Sequence, residues 1–267
     1  MALIEQMPVV FIGHGSPENA FEKNEFSDGW KNLAKAIPKP KAILCVSAHW
    51  TTSAHWRQTG TGVTARENPR TIHDFFGFPD DYYKFQYKAP GDRKFAEQIK
   101  ELVKTVPVEL DYEWGLDHGT WSVLANMYPG AIIPVVQLSL DQNLPLEKHV
   151  QIGKELQELR RDGVLIMGSG NIVHNLMLLS TEQSYPWAAD FDLKVKEALE
   201  RKDNALLISY RQIETADFAL PTNEHYLPLL YVLGAAGKEL PQFFNEKIVY
   251  GSVGMRCVVF WDKKLNL

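Results

Sequence analysis

The stretch PVVFIG at Pro8–Gly13 is short, apolar and rich in β-branched residues. Such a run is typical of a strand that is buried on both faces of a sheet. Four further, mostly apolar runs have a similar character and lie at Ala42–Ala48, Val106–Leu110, Ile132–Leu140 and Val164–Gly168. Together these runs predict a central sheet with helices packed on both of its faces.

Helical patterns separate the apolar runs. The segment from Asp92 to Thr105 has one apolar stripe, and Asp92 is its expected N-cap. The segment Glu147–Arg161 has a second stripe, which Asp162-Gly163 ends. Because strand and helix alternate, most strands should be parallel and joined by right-handed crossovers.

The last part of the chain has a different pattern. Lys247–Val253 and Met255–Trp261, with Gly251 and Gly254 nearby, predict an antiparallel pair that closes the sheet. No repeat, low-complexity tract or long linker divides the sequence. We therefore expect one α/β domain over residues 1–267, with a mostly parallel central sheet flanked by helices and a C-terminal antiparallel pair.

Charge and composition narrow the classes of partner. The 28 Lys and Arg residues are outnumbered by 33 Asp and Glu residues, which gives a net charge of −5, and no dense basic run occurs. We therefore expect a small-molecule partner rather than nucleic acid or an anionic membrane. Cys45 and Cys257 lie in apolar runs and are interpreted as small buried hydrophobes. With no signal peptide and no bilayer-spanning run, we expect a cytoplasmic monomer or small homo-oligomer.

Histidines follow three of the predicted strands. His14 comes directly after the first run, His49 directly after the second, and His174 a few residues after the fifth. Ligands of parallel sheets bind beyond the carboxyl ends of the strands. The imidazoles are therefore predicted to converge at one edge of the sheet, where their neutral nitrogens can bind a cation.

A third metal ligand is expected from the segment Pro221–Gly237, which has the pattern of a loop entering an apolar helix. Thr222 or Asn223 is its expected cap, and Glu224 and His225 stand at the entry. Two histidines and a carboxylate are typical of non-haem Fe(II) oxygenases, and three histidines of catalytic zinc sites. The residue types alone leave both choices open.

Two other histidine segments have both a functional and a structural interpretation. In Asp117-His118-Gly119, His118 is a candidate acid/base, or Asp117 simply caps a helix beside an exposed His118. His73-Asp74 precede a dense aromatic segment, which forms either an apolar wall for a planar ring or an ordinary packed corner. His55 and His149 have no supporting context and are interpreted as surface residues.

Six motifs in order resemble the class III extradiol ring-cleavage dioxygenases, in particular the DOPA-4,5-dioxygenase-like branch, over roughly residues 8–260. They are GHGSP at Gly13–Pro17, SAHW at Ser47–Trp50, TIHDFFGFP at Thr71–Pro79, DHGTW at Asp117–Trp121, GSGNIVHNL at Gly168–Leu176 and PTNEHYLPLLYVLGA at Pro221–Ala235. The resemblance implies a single-domain α/β fold and one divalent metal ion per chain. It implies zinc in the protein as isolated and Fe(II) for dioxygenase activity.

The resemblance also implies roles for individual residues. His14, His49 and His225 would hold the metal, although more distant relatives use a carboxylate as third ligand. His174 would be either a fourth ligand or the adjacent acid/base. His118, His174 and Tyr226 would contact the substrate, and His118 would assist proton transfer.

The expected reaction is the opening of a catechol-type, DOPA-like ring by O₂ beside its two hydroxyls, to give a yellow semialdehyde. One alternative is a zinc hydrolase, against which the sequence offers little carboxylate near His14 or His49 to act as base. The other is a non-catalytic binding protein on the same fold. Gly168-Ser169-Gly170 is only a fragment of a dinucleotide fingerprint, so no nucleotide cofactor is expected. Ser16, Ser47 and Ser169 lack the context of a hydrolase nucleophile.

Overall fold

The computed structural model of the chain describes residues 6–52 and 60–266. Its strands are β1 (Val9–Gly13), β2 (Ala42–Thr52), β3 (Thr61–Thr64), β4 (Val108–Asp111), β5 (Val135–Asp141), β6 (Val164–Gly170), β7 (Pro241–Phe244), β8 (Ile248–Val249), β9 (Val253–Gly254) and β10 (Cys257–Phe260). Its α-helices are α1 (Glu25–Ala36), α2 (Asp80–Lys84), α3 (Arg93–Leu102), α4 (His118–Met127), α5 (Leu146–Leu156), α6 (Pro186–Arg201), α7 (Asn204–Ile208), α8 (Ala216–Ala219) and α9 (Leu227–Ala236). Short 3-10 turns lie at Pro17–Ala20, Gln157–Asp162, Leu176–Leu178 and Tyr210–Gln212.

Eight of these strands form the main sheet, in the order β4-β3-β5-β2-β6-β1-β10-β7. The central strands β5, β2, β6 and β1 are all parallel, and β10 joins β1 and β7 through antiparallel pairings. The α/β class, the mostly parallel sheet and the C-terminal antiparallel pair are therefore confirmed. The expected pairing of Lys247–Val253 with Met255–Trp261 is wrong. Strand β10 pairs with β7, whereas β8 and β9 form a separate two-stranded sheet.

Side chains alternate between the two faces of the central strands, as the pleat of a strand requires. On β1, Val9 and Phe11 join one apolar cluster, and Val10 and Ile12 join the other. Helices α3, α5, α6 and α9 contribute to the first cluster, and α1 and α4 to the second. Both faces of the sheet are thus covered, which explains why its strands read as near-continuous apolar runs.

The structure moves several predicted boundaries. His49 lies inside β2 rather than after it, because the strand continues to Thr52 through a register shift against β5. The entry to α9 is also later than expected: neither Thr222 nor Asn223 caps it, and the N-cap is Tyr226 without a side-chain bond. The caps of α3 and α4 are confirmed, since Asp92 accepts from Phe95 N and Asp117 from Thr120 N.

The prediction that His149 is a surface residue is wrong. Its side chain is fully buried on α5, and its Nδ1 lies 3.1 Å from the Tyr231 hydroxyl on α9. His55 lies outside the described residues. Cys45 and Cys257 are buried free thiols, as expected. Within the described ranges, none of the helices is long and apolar enough to cross a bilayer.

Helices α5 and α9 approach so closely that each needs a glycine. A Cβ atom on Gly234 would lie 2.1 Å from Val150 O, and one on Gly153 would lie 2.1 Å from Tyr231 O. We therefore expect Gly234→Ala to lower the free energy of unfolding by about 1–3 kcal/mol through overpacking. Denaturant titration measures this loss. Gly130→Ala is the matched control because its Cβ would meet no atom of the described residues within 4 Å, and equal midpoints for the two variants would contradict the prediction.

Candidate metal centre

Three imidazoles converge at the edge of the sheet where β1, β2 and β6 have their carboxyl ends. His14 follows β1, His49 lies in the second half of β2, and His225 immediately precedes the N-cap of α9. The Nε2 atoms of His14 and His49 are 3.1 Å apart. One nitrogen from each of the three rings lies within 4.8 Å of the other two. The structure thus brings together the three histidines that the sequence singled out.

The 3.1 Å separation of the His14 and His49 nitrogens suits a shared cation. A metal–nitrogen bond of about 2.1 Å separates two ligand nitrogens by about 3.0 Å at a right angle and by about 3.4 Å at a tetrahedral angle. The pKa values of His14 and His225 lie well below the usual value, because burial and the neighbouring histidines disfavour the charged forms. Both rings are therefore neutral, as metal binding requires.

Two carboxylates contact the three converging imidazoles from outside. Asp74 Oδ2 lies 3.0 Å from His49 Nδ1, and Glu224 Oε1 lies 3.1 Å from His225 Nδ1. Burial alone would lower the pKa of His49, but Asp74, Asp117 and Glu224 outweigh it and raise that pKa. Such partners of metal-binding histidines orient the ring and increase its basicity.

The expectation from the sequence that little carboxylate lies near His49 is therefore wrong. Asp74 lies 25 positions along the chain and reaches His49 only through the fold of the aromatic segment. Its Oδ1 also accepts a hydrogen bond from His118 N at 3.0 Å and lies 3.1 Å from His118 Nδ1. Burial would raise the pKa of Asp74, but His118 and His49 together hold it well below its usual range.

His118 and His174 flank the three converging imidazoles. The centroid of the His118 ring is 3.9 Å from that of His49, and the His174 ring stacks on His225 with centroids 3.4 Å apart. Burial lowers the pKa of His174 to about 4. Burial, followed by His49, also lowers the pKa of His118. Both rings are therefore uncharged at neutral pH, and each has a nitrogen lone pair that can accept a hydrogen bond from a bound molecule.

Asp117 lies behind the site, where it stabilises the local structure. It is fully buried, and it accepts hydrogen bonds from Ser47 Oγ and Gln137 Nε2, both at 2.7 Å. Together with its cap on Thr120 N, these bonds fix the turn that leads into α4. The interpretation of Asp117 as a helix cap is confirmed. The accompanying alternative of an exposed His118 is wrong, since only 5% of that residue is exposed.

A cavity of about 870 Å³ opens in front of the imidazoles. His14, His49, His118, His174 and His225 all line it. The aromatic segment contributes Phe75, Phe76 and Phe78 to one wall, so it borders the site as one of its two interpretations predicted. Other apolar side chains also line the cavity: Phe26, Leu176, Leu179, Val249, Val253 and Met255.

Tyr226 does not belong to this cavity, so its predicted contact with substrate is wrong. Its side chain is fully buried, its hydroxyl donates to Leu207 O at 2.9 Å, and its ring packs against Tyr210. Tyr226 is adjacent to His225 in sequence, but at the entry to α9 the two side chains diverge. The sequence could not reveal this divergence, because it depends on where the N-cap falls.

Comparison with known proteins places the chain in a family. Residues 6–260 match the family described as "Catalytic LigB subunit of aromatic ring-opening dioxygenase". A "4,5-DOPA dioxygenase extradiol" of Escherichia coli is 45% identical over 95% of this chain and 94% of its own length. A protein of the same name from Beta vulgaris is 37% identical over 85% of this chain and 86% of its own.

A solved structure supports the same assignment. The crystal structure of an uncharacterized protein from Escherichia coli K12 matches with a TM-score of 0.82 and 41% identity, over 96% of this chain and all of that one. The resemblance that the six motifs carry is therefore confirmed. The chain belongs to the LigB family of aromatic ring-opening dioxygenases and is an extradiol dioxygenase of class III, in the branch similar to the 4,5-DOPA dioxygenases.

Proposed function

We propose that this protein opens the ring of a catechol beside its two hydroxyls, using O₂ and one divalent ion held by His14, His49 and His225. The observation that carries the proposal is the convergence of three imidazole nitrogens within 4.8 Å at the inner end of a large cavity. Three protein ligands leave coordination positions open for other molecules. The carboxylates of Asp74 and Glu224 hold the rings of His49 and His225 in place.

The ion would supply Lewis-acid binding of two adjacent phenol oxygens and, as Fe(II), the electron chemistry that O₂ requires. The chain itself must handle protons, because a catechol binds best after losing one. We assign this role first to His174 and second to His118, since both rings line the cavity next to the proposed ligands. Asp74 lies at Nδ1 of His118, which leaves Nε2 of that ring to exchange a proton with a bound molecule.

The walls of the cavity suit a flat, apolar ring. Phe75 meets His118 edge-on with centroids 5.7 Å apart, and Trp121 packs behind Phe75 at 6.1 Å. A planar substrate can pack against these faces. This arrangement favours an aromatic diphenol over an extended or highly polar substrate.

The charge of the cavity lining bears on the substrate's side chain. Glu18 and Glu22 line the cavity, whereas none of its lining residues in the described ranges is a Lys or Arg. Glu18 lies in the 3-10 turn four residues after His14, and its carboxylate accepts a hydrogen bond from Ser16 Oγ at 3.1 Å. A catechol that carries an ammonium group, as a DOPA-like compound does, would be attracted here, and an anionic catechol repelled.

Glu18→Gln tests this charge preference. For a catechol amine such as dopamine, we expect KM to rise about three- to tenfold, because one partly exposed ion pair contributes roughly 1 kcal/mol. For 4-methylcatechol, which is neutral, KM should not change. Steady-state kinetics with both compounds measure the difference, and Glu101→Gln on the exposed side of α3 is the control. An equal rise in KM for both compounds would contradict the charge argument.

The reaction itself is tested with an oxygen electrode. We propose that the isolated protein holds zinc and is inactive, and that loading with Fe(II) under anaerobic conditions gives the active form. On admission of air, the Fe(II) form should consume one O₂ per catechol and give a yellow product. Elemental analysis before and after loading provides the metal content. A protein with one Fe(II) per chain that consumes no O₂ with a panel of catechols would contradict the proposal.

A zinc-dependent hydrolase remains the second candidate, because Asp74 and Glu224 place carboxylates beside the proposed ligands. Hydrolysis needs no O₂, so an ester or amide hydrolysed equally well under argon and in air would favour it. A binding protein without activity would give neither O₂ uptake nor hydrolysis.

A further inference from the structure

The hydroxyl of Ser169 lies between a proposed metal ligand and a backbone carbonyl. Ser169 is the penultimate residue of β6 and is paired with Ile12 on β1 and Ser47 on β2. Its Oγ donates to Gly119 O at 2.5 Å and lies 3.0 Å from His14 Nδ1. The side chain is fully buried, so the protein groups are its partners in place of bulk water.

The direction of these two hydrogen bonds follows from the groups themselves. A carbonyl oxygen can only accept, so the single hydroxyl hydrogen of Ser169 is used on Gly119. Towards His14 the hydroxyl can then only accept, and His14 Nδ1 must carry a hydrogen. In a neutral imidazole with its hydrogen on Nδ1, the lone pair is on Nε2. In His14, Nε2 is the atom that lies 3.1 Å from His49 Nε2.

We infer that Ser169 is a positioning residue that holds His14 in the Nδ1–H tautomer and so presents its Nε2 lone pair to the metal. This inference rests on the proposed metal site. It assigns a use to a serine that lies in the GSGNIVHNL motif and for which the sequence implied no role. The same hydroxyl ties the end of β6 to the first turn of α4, where Gly119 is the neighbour of His118.

His14 differs from the other two proposed ligands because its partner at Nδ1, Ser169, is uncharged. His49 and His225 have carboxylates at Nδ1, and both of those carboxylates are partly exposed. The surroundings of Ser169 are fully buried and already contain Asp117, two residues before Gly119. A third carboxylate there would repel Asp117 and lose its hydration, whereas a hydroxyl fixes the same tautomer without adding charge.

Close approach of backbone makes the arrangement possible. A Cβ atom on residue 119 would lie 2.7 Å from Ser47 Oγ and 2.9 Å from Cδ2 of His49. Only glycine therefore allows the first turn of α4 to come near enough for its carbonyl to accept from Ser169.

The first test is the tautomer of His14 in the metal-free wild-type protein. Long-range ¹H–¹⁵N correlation spectra distinguish Nδ1–H from Nε2–H imidazoles, and the spectrum of His14→Ala assigns the signal. We expect His14 to be the Nδ1–H tautomer, and in Ser169→Ala we expect that preference to be lost. A wild-type His14 found as the Nε2–H tautomer would overturn the inference, and this measurement requires neither bound metal nor activity.

The second test is the affinity for Zn²⁺, measured by competition with a chelator. We expect Ser169→Ala to raise the Kd for Zn²⁺ about 10- to 100-fold, the usual effect of removing the partner of a metal-binding histidine. Ser122→Ala is the matched control, since Ser122 is a buried serine on α4 whose hydroxyl has no hydrogen-bond partner among the residues that the structure describes. An unchanged Kd in Ser169→Ala would overturn the inference. Failure of the wild type to bind Zn²⁺ would instead overturn the proposed metal site.

Discussion

His14→Ala is expected to lose the bound metal ion and, with it, the dioxygenase activity. A protein site that binds zinc with about 10–16 kcal/mol through four ligands gains roughly 3 kcal/mol from each, so removing one should raise the Kd by about 10²- to 10³-fold. The loss should be large here because only two of the three proposed ligands, His49 and His225, would remain. Metal content after gel filtration, together with chelator competition, measures the effect.

The control for this variant is His73→Ala. His73 belongs to the aromatic segment, but its Nε2 contacts Phe85 O at 2.9 Å, and it does not line the cavity. It should retain one metal ion per chain. If His14→Ala also retained a full equivalent, His14 would not be a ligand.

His174→Ala is expected to keep most of the metal while kcat falls by about 10²- to 10⁴-fold, the usual contribution of a general acid/base. Its ring stacks on His225, and its nitrogen groups with Glu224 and His225 rather than with His14 and His49, which favours a role beside the ion over a role as ligand. Metal analysis and single-turnover O₂ uptake on the same preparation separate the two effects. His118→Ala should likewise lower turnover more than metal content, by a smaller factor.

The outcome of His174→Ala decides between the two roles that the sequence left open. A loss of metal as large as that of His14→Ala would make His174 a fourth ligand and contradict the assignment as acid/base. Unchanged turnover would remove His174 from the chemistry altogether.

The sequence predicted those parts of the site that depend on strand ends. His14 was found because a buried strand ends directly before it, and parallel strands end at a common edge. The choice between Glu224 and His225 could not be made from residue types, because adjacent residues at a loop can each point inwards. In the structure both take part in the cluster, His225 beside His14 and Glu224 behind His225.

Contacts between segments distant in sequence were not predictable. Asp74 was noted only as the start of an aromatic segment, and nothing local reveals that its two oxygens meet His49 and His118. The sequence also does not reveal that the Ser169 hydroxyl reaches both Gly119 O and His14 Nδ1. The short strand β3 was not predicted, because Thr61–Thr64 has little apolar character. It is a strand through its backbone pairing with β4 on one side and β5 on the other.

One error could have been avoided from the sequence. His149 stands at the same helical spacing as Ile152, Gly153 and Leu156, which lie three, four and seven residues later and are all buried. This spacing places His149 on the apolar face of α5.

The central claim is that His14, His49 and His225 share one ion. Anomalous diffraction at the metal edge, from crystals grown with Zn²⁺, tests it most directly. The account predicts one anomalous peak per chain within about 2.0–2.2 Å of a nitrogen from each of these three rings. A peak bound instead by His174, Glu224 and His225, or no peak among these imidazoles, would contradict it.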